Sequence, residues 1–563
     1  MLYDLPTAVL PAYLFAFGTA SVARAPLLLA VGAAVALLTA TGRIEAVLEA
    51  AAPLLEDRGE AAGVDPTAPA SGLPPELESA VSGLVGPEVG ALLLAGVAVS
   101  VVVLVLVRGV ASAVTQTTVW ATIAVGDDPA EPESDPARRA STAGVRGAGR
   151  WRTFAGLFLL KVLLGVVLVG GPIVLAVSSA ASRPVVALAG VLLAFVGAIV
   201  TLLGLALLAF AGPAIVVDDR GVFGAVRASL GVFRHQLGSA VGLVVIVGGL
   251  YLGAAVVASV LGRVDAARLG ALVTPLFVAP FADVLATAVY AGARTESGTA
   301  RRTPADDPTD ADTEPPAGDD ATGVGDDVTG AGDDVTEASV DPVATATEPA
   351  DDTTPAVTVP VRRRNGAGER LRNAFGGGLR AFGEFALAAP AAVVGALAVF
   401  VLGLGGGWAV TAPAGVAVPP PSDVGNVFGA LPVNDFVNIA ANNWLVAAGG
   451  VYSGLAFGVP AAVGAAFNGA VVGALAGAFE LRALLALVVP HGVIEIPVLV
   501  VTWGLGLHLA GVGWRAVRGE TDAATVARRL REAAHVLGGA AVLLVVAALV
   551  EAFLTPEIAA LVL

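Results

Sequence analysis

The chain has no cysteine in its 563 residues, and charged side chains make up only 14% of it. Without cysteine, disulfides, thiolate metal ligands and cysteine nucleophiles are excluded. The four histidines are too scattered for a standard zinc signature, and no HExxH helix motif is present. Soluble domains carry about 25% charged residues, so this chain lacks the polar surface that a soluble fold needs. A soluble enzyme and a nucleic-acid-binding protein are therefore excluded.

Long apolar runs take the place of the missing charge, since 56% of the residues are hydrophobic and the mean hydropathy is +0.83. Each run must be helical in lipid, because hydrocarbon offers no partner for free backbone groups. We predict an all-α polytopic membrane protein with about eleven transmembrane helices in two bundles, six and then five. The predicted cores are residues 27–40, 90–107, 154–177, 186–210, 240–261, 272–291, 388–404, 443–459, 461–479, 484–511 and 534–553. The first core is short, and residues 11–24 either complete it or lie along the membrane interface.

An acidic segment separates the two bundles. The net charge of the chain is -16, and residues 303–360 alone contain sixteen acidic side chains and no basic one. Residues 318–338 hold the repeat GDDATGV, GDDVTGA, GDDVTEA, whose spacing does not match an EF-hand loop. The composition predicts a disordered linker over residues 294–370, between transmembrane domains at 1–293 and 371–563.

Arginine placement predicts the orientation, because basic residues concentrate in cytoplasmic loops. The N-terminus and the linker are then cytoplasmic and the C-terminus lies outside, in a plasma membrane whose lipid bilayer is the main partner. The arginines concerned are Arg138, Arg139, Arg146, Arg150, Arg152, Arg220, Arg227, Arg234, Arg362, Arg363, Arg364, Arg370, Arg372, Arg515, Arg518, Arg528, Arg529 and Arg531.

The first half has few distinctive residues. The stretch PAIVVDDRGVFGAVRASLGVFRHQL at residues 213–237 resembles a segment of uncharacterised six-span prokaryotic membrane domains, and it is predicted to be an amphipathic cytoplasmic helix. A single lysine, many arginines and abundant aspartate are typical of a halophilic archaeal proteome. Asp283, inside the sixth span, is a secondary candidate site residue, with a helix-facing hydrogen bond as the favoured alternative.

Glycines recur at four-residue spacing in two spans of the second half. They are Gly450, Gly454 and Gly458, then Gly469, Gly473 and Gly477. Such a row leaves bare backbone along one helix face, where a neighbouring helix can approach closely. Helix packing is the favoured interpretation, and a narrow substrate passage is the alternative.

An ionisable pair occurs in the apolar segment VPHGVIEIP at residues 489–497, where His491 and Glu495 share one helix face. An ionisable residue at mid-span costs roughly 2.5 kcal/mol or more, so both side chains should face inward. Pro490 and Pro497 each free a backbone carbonyl one turn earlier. The pair is either a hydrogen bond that locks the helix or a proton or cation site.

Three asparagines in the neighbouring spans complete the candidate intramembrane polar site: Asn442, Asn443 and Asn468. Asn443 could instead cap its helix. The run NNWLVAAGGVYSGLAFG, the NG at Asn468 and the motif PHGVIEIP resemble the stage II sporulation protein M family of integral membrane proteins. The resemblance covers residues 370–551 and implies that family's membrane fold. It marks His491, Glu495 and the asparagines as signature positions without giving them chemistry.

Three functions are compatible with these features. The resemblance favours a non-enzymatic scaffold that recruits membrane or envelope proteins, since the family is associated with recruiting peptidoglycan-remodelling enzymes in sporulating bacteria. A proton- or cation-coupled transporter using His491 and Glu495 is the alternative, although no inverted repeat is visible. An intramembrane hydrolase ranks last, because no nucleophile or third metal ligand stands out. No catalytic residue, metal site or cofactor is assigned.

The predicted orientation has a direct test in this cysteine-free chain. Cysteines introduced singly as Thr322→Cys and Ser422→Cys should react with a membrane-impermeant maleimide from opposite faces of the membrane. Labelling of both positions from the same face would contradict the arginine rule for this protein.

Overall fold

A computed structural model describes the helical core of the chain. The described residues are 5–47, 50, 79, 81, 82, 84, 86–124, 136–263, 266–296, 367–414 and 432–563. The acidic repeat at residues 318–338, Thr322 and Ser422 all lie outside them. Every regular element within the described residues is a helix. The linker was predicted over residues 294–370, but one helix continues to residue 296 and the next begins at residue 367.

The first half contains twelve α-helices among the described residues. They are α1 (Leu5–Thr19), α2 (Ala25–Ala40), α3 (Pro87–Ala124), α4 (Pro136–Gly147), α5 (Trp151–Gly165), α6 (Gly171–Ser179), α7 (Pro184–Leu207), α8 (Ala211–Val217), α9 (Val222–His235), α10 (Leu237–Arg263), α11 (Ala267–Val273) and α12 (Ala279–Glu296). A 3₁₀ segment, Ala20–Arg24, joins α1 to α2. Single π-turns, Val166–Gly170 and Thr274–Val278, join α5 to α6 and α11 to α12.

The second half contains seven α-helices in the part that the structure describes. They are α13 (Ala367–Ala388), α14 (Pro390–Thr411), α15 (Val433–Ser453), α16 (Val459–Ala478), α17 (Leu481–Val517), α18 (Ala523–Leu549) and α19 (Thr555–Val562). A π-turn, Val550–Leu554, joins α18 to α19. The amphipathic α13, which precedes the first apolar span of this half, was not predicted.

Ten helical stretches among the described residues are long and apolar enough to cross a membrane. They confirm the prediction of an all-α polytopic membrane protein. The first stretch runs from Val9 to Ala40, so residues 11–24 continue the first span. The segment at residues 213–237, predicted as one cytoplasmic helix, is instead divided between α8 and α9, with a break at residues 218–221.

The predicted span at 443–459 differs from the helix that forms there. Helix α15 begins at Val433, ends at Ser453, and is followed by a turn. Gly458 closes this turn with φ +74, a left-handed conformation that glycine adopts without steric cost. Asn443 therefore lies inside the helix and is no cap. Several polar side chains in α15 explain why it is not among the ten apolar stretches.

Helices α14 and α16 lie parallel, with their backbones in direct contact. A Cβ added to Gly469 would meet the Phe400 carbonyl oxygen at 2.0 Å, and one added to Gly473 would meet the Leu404 oxygen at 1.9 Å. The contact points thus advance in the same direction along both helices. If both cross the membrane, the chain between them must return across it, and α15 is the described helix that can do so. The five predicted passes of this half then require the polar α15 as one of them.

The two halves form one compact unit, Met1–Thr299 with Gly368–Leu563. Helix α1 packs on α15, where Phe15 meets the ring of Tyr452 edge-on with the centroids 6.3 Å apart. Nearby, the Ser21 hydroxyl lies 3.0 Å from the carbonyl oxygen of Gly449. The first span therefore belongs to the core of both halves.

Arginine-bearing segments from both halves meet at one end of this unit. Helix α4 packs against α18, and the small cavity between them is lined by Ser141, Ala527 and Arg531. Arg150, just after α4, pairs with Asp219 at 2.9 Å. The segments whose arginines predicted a cytoplasmic position are thus spatial neighbours, as a common side of the membrane requires.

The α14–α16 contact predicts that one of two glycine substitutions destabilises the protein and the other does not. Gly473→Ala should destabilise the protein by about 1–3 kcal/mol, because the new methyl group would force the two backbones apart. Gly405→Ala is the matched control, because a Cβ at Gly405 meets nothing within 4 Å. The free energy of unfolding in detergent micelles measures both effects. Equal stability of the two variants would contradict the close approach.

Candidate functional site

His491 and Glu495 lie on consecutive turns of α17, which contains both Pro490 and Pro497. The helix spans 37 residues and continues through the two prolines. Neither proline has an N–H, so each leaves a carbonyl oxygen one turn earlier without its usual helical partner. The His491 and Glu495 side chains are partly buried between α17 and its neighbours.

Glu551 supplies a third ionisable side chain at the same place. His491 Nε2 lies 4.0 Å from Glu551 Oε2, and one donor atom from each of His491, Glu495 and Glu551 lies within 4.8 Å of the others. We call these three residues the His–Glu–Glu cluster. Glu551 was not among the predicted site residues, although a signal was present, because an acidic residue inside an apolar span is itself a candidate.

A π-turn positions Glu551. Residues Val550–Leu554 form the turn between α18 and α19, and Pro556, two residues after the turn, cannot donate a backbone hydrogen bond. Such single π-turns inside α-helices occur frequently at functional sites. Helices α17 and α18 run antiparallel, so the end of α18 faces the first third of α17, where His491 lies.

Thr555 fixes the orientation of the imidazole. The Thr555 hydroxyl donates to the Val550 carbonyl oxygen at 3.1 Å, and its oxygen lies 3.3 Å from His491 Nδ1. While the hydroxyl donates to Val550, its oxygen can accept from His491 in the tautomer that carries the hydrogen on Nδ1. In the neutral ring Nε2 then carries a lone pair directed towards Glu551, the arrangement that prepares a histidine to bind a proton or a metal ion.

The adjacent asparagines of α15 face different surroundings. Asn443 is buried and its side chain lies against the Glu495 carboxylate. Asn442 lines a cavity of about 530 Å³ between the two halves, and its Nδ2 donates to Asn443 Oδ1 at 3.4 Å. This hydrogen bond connects the cavity with the His–Glu–Glu cluster.

Asn468 lies apart from the cluster. Its Nδ2 donates to the carbonyl oxygen of Gly464 at 2.8 Å, and the residue lines the same cavity as Asn442. The structure thus brings His491, Glu495 and Asn443 together and places Asn442 and Asn468 at a neighbouring cavity.

Both glycine rows lie against backbone or side chains of neighbouring helices. A Cβ at Gly454 would meet the Gly506 oxygen of α17 at 1.8 Å, and one at Gly450 would meet Trp503 at 2.5 Å. A Cβ at Gly458 would lie 3.0 Å from the Cβ of Ala510, which also belongs to α17. Gly469, Gly473 and Gly477 face α14, where Gly477 meets the Thr411 side chain. Gly450 also borders the cavity between the halves.

Asp283 takes part in a second buried polar group. Its carboxylate accepts a hydrogen bond from the Tyr13 hydroxyl, which joins α12 to α1. Lys161 and Gln116 also interact with this carboxylate. The group holds elements of the first half together and lies apart from the His–Glu–Glu cluster in the sequence and in the fold.

The cluster can hold a positive charge. It offers one imidazole nitrogen and two carboxylates, a mixed donor set that suits a metal ion or a shared proton. Two carboxylates this close repel each other when both are ionised, so a proton or a cation between them is stabilising. The Asn443 amide can donate to Glu495, which restricts that side chain to one orientation.

The Asp283 group yields a stability prediction. Tyr13→Phe should destabilise the protein by about 1–3 kcal/mol, because a buried carboxyl group loses a donor. Tyr251→Phe is the matched control, since Tyr251 lies near the same carboxyl group and is 43% exposed. Unfolding in detergent, followed by circular dichroism, compares the two. If both variants unfold at the same denaturant concentration, the Tyr13 hydrogen bond contributes nothing.

Comparison with known proteins concerns the second half. Residues 396–556 match the family described as Stage II sporulation protein M. No curated protein and no solved structure matches the chain significantly. The matched segment runs from α14 to the beginning of α19 and contains the His–Glu–Glu cluster, Asn443 and Thr555. The first half lies outside it, and its resemblance to six-span prokaryotic domains stays a prediction. The second half of this integral membrane protein is therefore similar to the Stage II sporulation protein M family.

Proposed function

We propose that this integral membrane protein is an ion-coupled transporter in which the His–Glu–Glu cluster binds the coupling proton or cation. The observation that carries the proposal is the convergence of His491, Glu495 and Glu551 within membrane-spanning helices, with donor atoms within 4.8 Å of one another. The protein has no catalytic role and no resident cofactor in this proposal.

The energetic cost of the cluster supports a functional role. Placing one charged side chain at the centre of a membrane helix costs roughly 2.5–3.5 kcal/mol, and residues of this kind commonly mark ion or proton pathways. A structural His–Glu hydrogen bond would need only two of the three groups. The second carboxylate, Glu551, adds repulsion unless a cation or a proton is bound, which favours a site that is loaded and unloaded.

Connection to a cavity also supports transport. Asn443 interacts with Glu495, and Asn442 donates to Asn443 while lining the cavity of about 530 Å³. When Glu495 gains or loses its charge, the hydrogen bond between Asn443 and Glu495 changes. The Asn442 amide, which donates to Asn443, can then change its own position. The asparagine pair thus provides a physical link between ion binding and the occupant of the cavity.

Recruitment of membrane or envelope proteins is the second candidate function. The observation in its favour is the match of residues 396–556 to the Stage II sporulation protein M family. A scaffold needs exposed recruiting surfaces and no titratable cluster, so it leaves His491, Glu495 and Glu551 without a role beyond stability.

Charge movement on ion binding tests the proposed function without knowledge of the substrate. Proteoliposomes with the full-length protein are adsorbed to a solid-supported membrane and exposed to rapid jumps of pH or Na⁺ concentration. The wild type should give a transient current, and Glu495→Gln should reduce the displaced charge at least tenfold, because the amide cannot ionise. Glu557→Gln, at an exposed glutamate of α19, is the matched control and should retain the wild-type current.

Equal currents from Glu495→Gln and from the wild type would refute the ion site. A wild type without any transient current would also refute it. In that case a reproducible partner recovered from native membranes in mild detergent would support the scaffold instead.

A further inference from the structure

The cavity between the two halves is walled by both of them. Its wall includes α1, the 3₁₀ segment, α2 and α11 from the first half, and α15, α16 and α17 from the second. A volume of about 530 Å³ lies within the range of small-molecule sites, roughly 300–1,000 Å³. The cavity therefore exists only where both halves are packed together.

Two arginines contribute the charge of this cavity. Arg24 ends the 3₁₀ segment near the middle of the first span, and Arg268 lies in the first turn of α11. Both side chains are exposed, and neither forms an ion pair or side-chain hydrogen bond with any other described residue. Among the residues that the structure describes, no acidic one lines the cavity. Its charge is thus positive.

The position of Arg24 is costly without a ligand. It belongs to the continuous stretch Val9–Ala40, one of the ten apolar stretches. A guanidinium within a span is tolerated when it faces a partner or a water-filled cavity, and it marks a functional site by default. The 3₁₀ geometry of Ala20–Arg24 directs this segment to α15, where Ser21 lies 3.0 Å from the Gly449 oxygen.

Neutral polar groups surround the two cations, and apolar side chains complete the wall. Asn442, Asn468 and Ser453 provide amide and hydroxyl groups. Phe17, Leu28, Leu445 and Phe467 provide the apolar part. A ligand that satisfies this wall has an anionic head for the arginines and a hydrophobic portion for the remainder.

We infer that this cavity binds an amphiphilic oxyanion, a molecule with a phosphate or carboxylate head and an apolar body. Guanidinium groups form paired, charge-assisted hydrogen bonds with both kinds of head. A cationic ligand would meet two like charges on the described wall, which disfavours it. The inference that such a molecule is the transported substrate rests on the proposed function. Binding of the molecule to the cavity requires no transport. The ligand is either a lipid of the bilayer or a soluble metabolite with the same head chemistry.

Native mass spectrometry of the full-length protein in detergent tests the site with phosphatidylglycerol as the probe. Arg24→Gln and Arg268→Gln should each weaken retention of this lipid about tenfold, and the double variant should weaken it further. Arg24→Lys should keep part of the affinity, because the charge remains while the paired hydrogen bonds are lost. Arg183→Gln is the matched control, since Arg183 is exposed between α6 and α7 and does not line the cavity.

Two further probes distinguish the source of the ligand. Zwitterionic phosphatidylcholine should bind no better to the wild type than to the double variant. Displacement of phosphatidylglycerol by millimolar glycerol phosphate supports a soluble ligand, and retention in its presence supports a lipid. Equal phosphatidylglycerol retention by the wild type, the double variant and Arg183→Gln would overturn the assignment. Native mass spectrometry applies no ion gradient. Failure of the Glu495 transient-current test would therefore leave the lipid-binding result unaffected.

Discussion

Direct backbone contact between α14 and α16 is the constraint on which the arrangement of the second half depends. At Gly469 and Gly473 a single methyl group would overlap a carbonyl oxygen of α14. In lipid, helices gain nothing from hiding apolar surface from one another, so close backbone packing of this kind supplies the attraction. Parallel packing in turn requires a return pass between the two helices. The asparagine-rich α15 must therefore lie inside the protein, where its amides need interior partners.

Those partners explain why the polar groups gather where they do. An amide facing lipid would lose its hydrogen bonds at a cost of several kcal/mol. Asn443 meets Glu495, Asn442 meets Asn443, and Asn468 meets a carbonyl oxygen of its own helix. Of the three asparagines, Asn443 is the one whose partner is an ionisable group of a neighbouring helix.

Much of the fold was predictable from local sequence patterns. Apolar runs predicted the spans because lipid forces each of them into a helix, and the spacing of His491 and Glu495 placed both on one face of α17. The bounds of α15 were not predictable in this way, because its first ten residues are too polar to resemble a span. Hydropathy identifies lipid-facing helices, and α15 is surrounded by protein.

The candidate site was predictable only in part, for a geometric reason. Glu551 is distant in sequence from His491, and nothing in a single chain shows which two spans pack together. Asn442 and Asn443 are sequence neighbours, but successive residues on a helix point about 100° apart, so their different surroundings depend on tertiary packing. The cavity with Arg24 and Arg268 requires both halves and has no local signature.

The π-turn at Val550–Leu554 has a consequence for how this cluster could have arisen. Such a turn holds one residue more than an α-helical turn, so everything after it is rotated by roughly one residue's angle relative to a regular helix. Loss of a single residue there would restore an uninterrupted helix and swing Thr555 away from the imidazole it now orients. The contact between the Thr555 hydroxyl and the imidazole therefore depends on the number of residues in this turn as much as on the types of the residues.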